Sequence, residues 1–244
     1  MDAGNFAPAG RSPGDSAKAR SFLDLYQRMN YDAVALSSRE LAYGLAMWEE
    51  AAQKGCPIVA ANLFEQRRVS ALGKLFGQSS RKPIFTQSVI RDAHGERLAV
   101  IGLVSSAAWK ARTDTSIAVA FRSPHDMGDL IRATAKKCDH LTIVGEFSQQ
   151  EAESLVTAFS GIDMVVSSGI KNDAPKKVKQ AVIVGVGSRG YNGNYVEWDF
   201  AKPDDANNFV AKAQSLDPAV PEDTSMVRAL GMVNERIRVA AQGR

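Results

Sequence analysis

Asn30-Tyr31-Asp32-Ala33-Val34-Ala35-Leu36-Ser37-Ser38-Arg39-Glu40-Leu41-Ala42-Tyr43-Gly44, residues 30 to 44, is the stretch on which the fold turns. Residues 31 to 36 form a short apolar run bounded by polar residues, and such a run predicts a buried strand. Leu45, Met47 and Trp48 follow in a helical stretch, and residues 57 to 61 read as a second short strand. A strand, a helix and a strand in succession predict parallel pairing, hence an α/β chain.

Upstream, residues 7 to 18 are rich in Pro, Gly, Ser and Ala and lead into a helix with Phe22, Leu25, Tyr26 and Met29 on one face. Downstream, residues 65 to 82 are polar and basic, as a surface loop is, with Arg67 and Arg68 in it. Residues 84 to 90 and 97 to 104 flank Asp92-Ala93-His94-Gly95 as the strands of a hairpin flank their turn, which makes His94 a turn residue. Ser123-Pro124 opens a helix with Met127, Leu130 and Ile131 inward and His125 at its exposed start. Two strands, 141 to 144 and 163 to 166, enclose a helix bearing Ala152, Leu155, Val156 and Phe159. Strands at 181 to 184 and 194 to 200 follow, then a polar stretch after Pro203, then a helix with Met226, Leu230, Val233 and Ile237 on one face. The organisation expected is one α/β domain over residues 1 to 200 and a helical extension over 201 to 244, packed on the same domain.

Bulk properties narrow the function. With 244 residues and 45% hydrophobic content, the chain is long enough to bury a full core. Its 30 basic and 27 acidic residues are interspersed, without the clustered basic face that a phosphate backbone requires, so nucleic acid is not an expected partner. No apolar run reaches the roughly 20 residues of a membrane-spanning helix. The N-terminus shows no secretion signal. Cys56 and Cys138 lie far apart, in no zinc or CxxC spacing, and are expected to be free and at least partly buried. Gly185-Val186-Gly187-Ser188-Arg189-Gly190 spells a dinucleotide-binding pattern after a strand, but Tyr191-Asn192-Gly193-Asn194 is turn chemistry and 195 to 200 alternates like a strand. The fingerprint needs a helix there, so a tight β-turn is the better reading.

The opening segment closely resembles the stretch N-x-Y-D-A-x-x-x-G-N-H-E-F-D-Y-G of bacterial 5′-nucleotidases, which belong to the calcineurin-like metallophosphoesterases. Pro57-Ile58-Val59-Ala60-Ala61-Asn62 is similar to that family's F-P-x-L-x-A-N, Arg97-Leu98-Ala99-Val100-Ile101-Gly102-Leu103 to its K-I-A-V-I-G-L, and Gly161-Ile162-Asp163-Met164-Val165-Val166 to its G-I-D-x-I-I. Asp2-Ala3-Gly4-Asn5-Phe6 resembles its D-A-G-D-x-F. The matches come in the family's order and cover most of residues 2 to 200. The resemblance implies a four-layer αββα sandwich, and since the family's D-x-H strand lies upstream of D-A-G-D, that first strand is expected to be missing. It also implies a periplasmic or extracytoplasmic setting.

Family members hold two divalent metals such as Mn, Zn or Mg, which polarise a phosphate ester and lower the pKa of a bound water. At the matching positions this chain carries other chemistry. The metal-bridging aspartate falls on Asn5; the asparagine and catalytic histidine of G-N-H-E fall on Ser38 and Arg39; Glu40 alone keeps the family type. The strand-end histidine falls on Glu146, or on Gly145 with a shift of one residue, and the two histidines of G-H-x-H on Gly169 and Lys171. His94, His125 and His140 match no motif position. These substitutions lead us to expect a degenerate site with no metal, no cofactor and no catalytic residue, in a non-catalytic protein with a structural or interaction role and an unidentified protein partner. Two other readings stay open. One is a metal-dependent phosphoesterase hydrolysing nucleotide phosphate esters. The other is an anion or nucleotide sensor in which Arg39 and Lys171, with backbone amides of Ser167-Ser168-Gly169, hold a phosphate or carboxylate. Without a ligand, Arg39 and Lys171 are expected to neutralise Glu146 and Glu40 in a salt-bridge cluster.

Overall fold

The computed structural model describes residues 1–66, 82–112, 119–171, 175–186, 192–199, 209–215 and 223–242. Helix α1 (Pro13–Arg28) starts on a capping box, in which Ser12 accepts from the amide of Asp15 and Asp15 returns the contact to the Ser12 amide. Strand β1 (Val34–Ala35) is followed by α2 (Ser38–Ala42), α3 (Leu45–Gln53), β2 (Ile58–Val59) and β3 (Leu63–Glu65). Next come β4 (Ser88–Ala93), β5 (Glu96–Gly102), α4 (Ser106–Lys110), β6 (Val119–Phe121), a 3₁₀ turn (Pro124–Met127) and α5 (Gly128–Ala135). The remainder is β7 (His140–Gly145), α6 (Gln149–Ala158), β8 (Met164–Ser167), β9 (Lys176–Val178), β10 (Ala181–Gly185), β11 (Asn192–Trp198), β12 (Phe209–Ser215) and α7 (Thr224–Ala241).

One sheet has six strands in the order β4-β5-β7-β8-β10-β9, with β5, β7, β8 and β10 parallel and both edge strands antiparallel. A second, smaller sheet pairs β1 and β2 in parallel and is widened by single bridges from Asp2 to Val34 and from Val59 to Thr86. The period of two along each strand sorts side chains into layers. Ile101, Leu141, Ile143, Val165 and Ile183 face outward onto Met127, Ile131, Leu155 and Val156 of the α5 and α6 layer. Val100 and Val144 face inward onto Ala33, Ala35 and Val59 of the small sheet. On the far side of that sheet, Leu36, Ile58 and Leu63 meet Leu23, Leu41, Leu45 and Trp48. The order helix, sheet, sheet, helix is the expected αββα sandwich. Its two sheets approach closely at Gly102, where an added Cβ would lie 2.3 Å from the Val59 carbonyl oxygen.

The hairpin is as expected, with His94 (φ 58°) and Gly95 (φ 89°) both left-handed, as a type I′ turn demands. Several expectations need correcting. The apolar run at 31 to 36 yields a strand of only two residues, because the chain meets β2 over a two-residue register. Met29 caps α1 and is 42% exposed, and Leu230 of α7 is 45% exposed. The face that α7 turns inward is Met226, Ala229, Val233 and Ile237 instead. The segment after residue 200 is not wholly helical: β12 pairs antiparallel with β11 from Asn192↔Ser215 to Trp198↔Phe209. Strands β3, β6 and β9 and helices α2 and α4 add to the expected elements; each is three to five residues long, too short for a period to show. The basic loop with Arg67 and Arg68 and the glycine-rich turn at 187 to 190 lie outside the described residues. From Asn192 the chain runs in strand β11, not a helix, which removes the setting a dinucleotide site needs.

Candidate functional site

The residues singled out by the resemblance gather where β1, β7 and β8 end and their following loops begin. Ser37 is the N-cap of α2 and Glu40 its third residue, so the pair forms a capping box. The carboxylate of Glu40 is fully buried and surrounded by donors. One oxygen accepts from the Asn5 amide at 2.8 Å, the Ser37 amide at 2.9 Å and the Ser37 hydroxyl. The other accepts from the Ala7 amide at 2.8 Å. A buried carboxylate needs such compensation, and here the chain supplies all of it. The sequence carries a signal for this pairing beside the family resemblance: Ser-x-x-Glu before an apolar run is the capping-box pattern.

Glu40 thereby holds the loop at residues 2 to 7, and other side chains fasten the same loop. Gly4 (φ 84°) and Asn5 (φ 72°) are both left-handed, which turns the amides of Asn5 and Ala7 towards Glu40. Any Cβ at Gly4 would come within 3.0 Å of Ala35 O and Ser37 N. Asp2 accepts from the Gly4 amide at 2.7 Å and from the Tyr26 hydroxyl at 2.9 Å. Burial raises the Asp2 pKa above its usual range despite those hydrogen bonds, and the neighbouring Glu40 raises it further. Phe6 anchors the loop with edge-on contacts to Phe22, Tyr26 and Trp48. The Ser168 hydroxyl donates to Ala3 O at 2.9 Å, tying the loop to the end of β8.

Glu146 follows β7 and reaches across to α2. Its carboxylate accepts from the Ser38 amide at 2.7 Å and from the Ser38 hydroxyl at 3.0 Å. Its backbone is set by an interlock of two loops, in which the Ser167 hydroxyl donates to Phe147 O and accepts from the amides of Phe147 and Gly169. Gly169 is required there, since a Cβ would stand 2.4 Å from Phe147 O.

The structure thus forms two neighbouring hydrogen-bonded groups, Glu40 with Asn5, Ala7 and Ser37, and Glu146 with Ser38, joined through the chain from Ser37 to Ser38. The salt-bridge cluster expected of Arg39 and Lys171 with Glu40 and Glu146 is not formed among the described residues. Backbone amides and serine hydroxyls do that work, while Arg39 and Lys171 are exposed. Nor are the loop amides at 167 to 169 open to an anion as the sensor reading supposed. Ser168 N donates to Gly145 O and Gly169 N to Ser167 Oγ. The histidines stand elsewhere: His94 in the hairpin turn, His125 beside Ser154 at 3.2 Å, and His140 at the start of β7, 3.9 Å from Glu96. Both cysteines are free, and burial pushes the Cys56 thiol up to about 11, an inert range for a nucleophile.

No family model matches this sequence, and no curated protein matches it. Solved structures do. Sulfate thiohydrolase SoxB of Thermus thermophilus aligns over 100% of this chain and 42% of its own, at 13% identity and a TM-score of 0.73. A 5′-nucleotidase precursor from Thermus thermophilus aligns over 93% of this chain and 47% of its own, at 18% identity and a TM-score of 0.70. The calcineurin-like phosphoesterase YfkN of Bacillus subtilis aligns over 98% and 84%, at 15% identity and a TM-score of 0.68. The chain therefore spans less than half the length of the first two.

These likenesses correct the expectation that no cofactor bears on this protein, because the shared fold is that of metal-dependent phosphoesterases. The donor set can be set against that chemistry. Among the described residues, no group of three or more His, Cys, Asp or Glu is placed to hold a metal ion. At the site itself, Glu40 already accepts four hydrogen bonds and Glu146 two, so the described donors do not fit a dinuclear centre. No helix among the described residues is long and apolar enough to cross a membrane. The chain has the fold of the 5′-nucleotidase-like metallophosphoesterases.

Proposed function

We propose that this chain is a non-hydrolytic relative of the 5′-nucleotidase-like phosphoesterases, with a structural or interaction role in place of turnover. The observation that carries the reading is the state of its two site carboxylates. Glu40 and Glu146 are engaged by amides and hydroxyls of the chain itself, and in the catalytic-histidine position stands Arg39, an exposed guanidinium that carries donors and no acceptor. General acid or base work needs a group within reach of the substrate that is free to take up and release a proton, and both site carboxylates are already held by hydrogen bonds from the chain itself.

The test is hydrolysis of a generic aryl phosphate and of nucleoside 5′-monophosphates, with Mn²⁺, Zn²⁺ and Mg²⁺ each supplied, since the fold is one that uses such metals. The expected result is release of phosphate no faster than in buffer with metal alone. Saturable turnover that Glu146→Ala abolishes would overturn the proposal and would place Glu146 in a working site.

A further inference from the structure

Helix α7 turns Met226, Ala229, Val233 and Ile237 towards α1, yet its apolar surface does not end there. Of the seven large hydrophobic residues exposed among the described ones, four lie on this helix: Val227 at 46%, Leu230 at 45%, Met232 at 50% and Val239 at 40%. Met232 and Val239 share a stripe with Arg228 and Glu235, because 228, 232, 235 and 239 follow the alternating steps of four and three that bring helix residues onto one face. This stripe carries one positive and one negative residue, seven positions apart. Arg228 has no ion-pair or hydrogen-bond partner among the described residues, and Glu235 meets only Arg238 of the next turn, with both side chains exposed.

The arrangement is self-complementary. A two-fold axis crossing α7 between Gly231 and Met232 is equidistant from Arg228 and Glu235. An antiparallel second copy would set each Arg228 against the other copy's Glu235, with the Met232 side chains at the centre. Gly231 lies at the height of that crossing, at the border of the stripe. Glycine is among the least favourable residues in a helix interior, and nothing among the described residues calls for it, since a Cβ there would meet none of their atoms within 4 Å. A bare backbone is what lets two helices approach closely.

We infer that the exposed stripe of α7, formed by Arg228, Met232, Glu235 and Val239 beside Gly231, is an isologous docking surface for a second copy of this chain. Contact along the stripe covers Met232 and Val239 and pairs the opposite charges twice. None of its residues belongs to the site around Glu40 and Glu146, so the inference stands apart from the proposed function.

Sedimentation velocity on the full chain, over concentrations from about 1 to 100 μM, tests it. The expected result is a concentration-dependent dimer. Arg228→Glu and Glu235→Arg, each alone, place like charges opposite one another and weaken it by on the order of tenfold or more. The double variant Arg228→Glu/Glu235→Arg restores it. Circular dichroism and melting of each variant at monomeric concentration confirm that the fold is intact, which exposed positions lead us to expect. A monomer throughout the range, or a dimer that the single reversals leave unmoved, or one that the double variant fails to recover, overturns the inference.

Discussion

The loop of residues 2 to 7 with its clamps and the α1–α7 flank treat polar and apolar surface in opposite ways. Around the loop the contacts close inward: Asp2, Glu40, Glu146 and Ser168 each end on a partner within the chain. No buried side-chain nitrogen or oxygen among the described residues lacks a partner. On α7 the opposite holds, with apolar side chains left 40 to 50% exposed and Arg228 without a partner among the described residues. A site that satisfies itself has little free energy left for a ligand, because any newcomer must first break hydrogen bonds that already exist. A surface that leaves apolar area and complementary charge uncovered has that free energy in reserve. The contrast favours the helix over the strand ends as the place for the proposed self-association.

The largest effect that can break this contrast comes from Glu40→Ala. It strands the amides of Asn5, Ala7 and Ser37 in the interior, at roughly 1 to 3 kcal/mol for each buried donor that finds no water, so a loss of about 4 kcal/mol is expected in urea unfolding. A loss below about 1 kcal/mol would mean that the loop is not held from Glu40 at all. Glu146→Ala is the milder companion. It frees one amide and one hydroxyl at a half-buried position open to water, and about 1 kcal/mol is expected from the same measurement. If the two losses were equal, Glu146 would be as closed off as Glu40, and the difference in burial between the two carboxylates would carry no energetic weight.

A third test turns on pH. Asp2 has its folded-state pKa raised, chiefly by burial, so the native protein holds that proton more tightly than the unfolded chain does. The contribution of Asp2 to stability is therefore most favourable below the ordinary value of 3.8 and declines as pH rises through the folded pKa. Asp2→Asn keeps an acceptor for the Gly4 amide and a donor for the Tyr26 oxygen while removing the buried charge. The variant is expected to melt no lower than the parent at pH 7 and to show a flatter decline as pH rises above the ordinary value of 3.8. A lower melting temperature at pH 7 would mean that the charge itself, not the hydrogen bonds, holds the loop to α1.

The sequence disclosed an α/β alternation because residues 31 to 36, 57 to 61, 97 to 104 and 141 to 144 each carry a short apolar run that reads as a buried strand, and the Asp92-Ala93-His94-Gly95 turn names its own geometry; the αββα order itself came from the family resemblance. The resemblance singled out Asn5, Ser38, Glu40 and Glu146, and in the structure Asn5 bonds to Glu40 and Ser38 to Glu146. It did not disclose what they would do on meeting. Charge counting pairs arginine and lysine with glutamate, but the donors that reached Glu40 are main-chain amides, which nearly every residue carries and no sequence marks. They became available only through the left-handed turn at Gly4 and Asn5, a tertiary consequence of the loop folding back over β1. Short elements such as β3, β6 and α2 escaped because three to five residues contain too little of any period to be read.

The smallest effect is expected from Arg236→Ala, and it bears on what attaches α7. Arg236 meets Asp24 of α1 at 2.7 Å, but the two side chains are 61% and 53% exposed, a setting in which water and salt screen most of the attraction. Beside that pair, Ala229 is 3% exposed and lines the cleft between the helices with Leu25 and Val233. Apolar contact of this kind is insensitive to salt, whereas an exposed ion pair contributes under about 0.5 kcal/mol in low salt and less in high. Removing the arginine should therefore leave the unfolding midpoint almost unchanged and should not alter self-association, because Arg236 is not on the stripe of Arg228 and Glu235. A loss above about 1 kcal/mol that disappears in roughly 0.5 M salt would show α7 to be held on α1 by charge. In that event Arg228 and Glu235 could no longer be read as charges reserved for a second copy, since charge reversal on the helix would also loosen its own attachment to the fold.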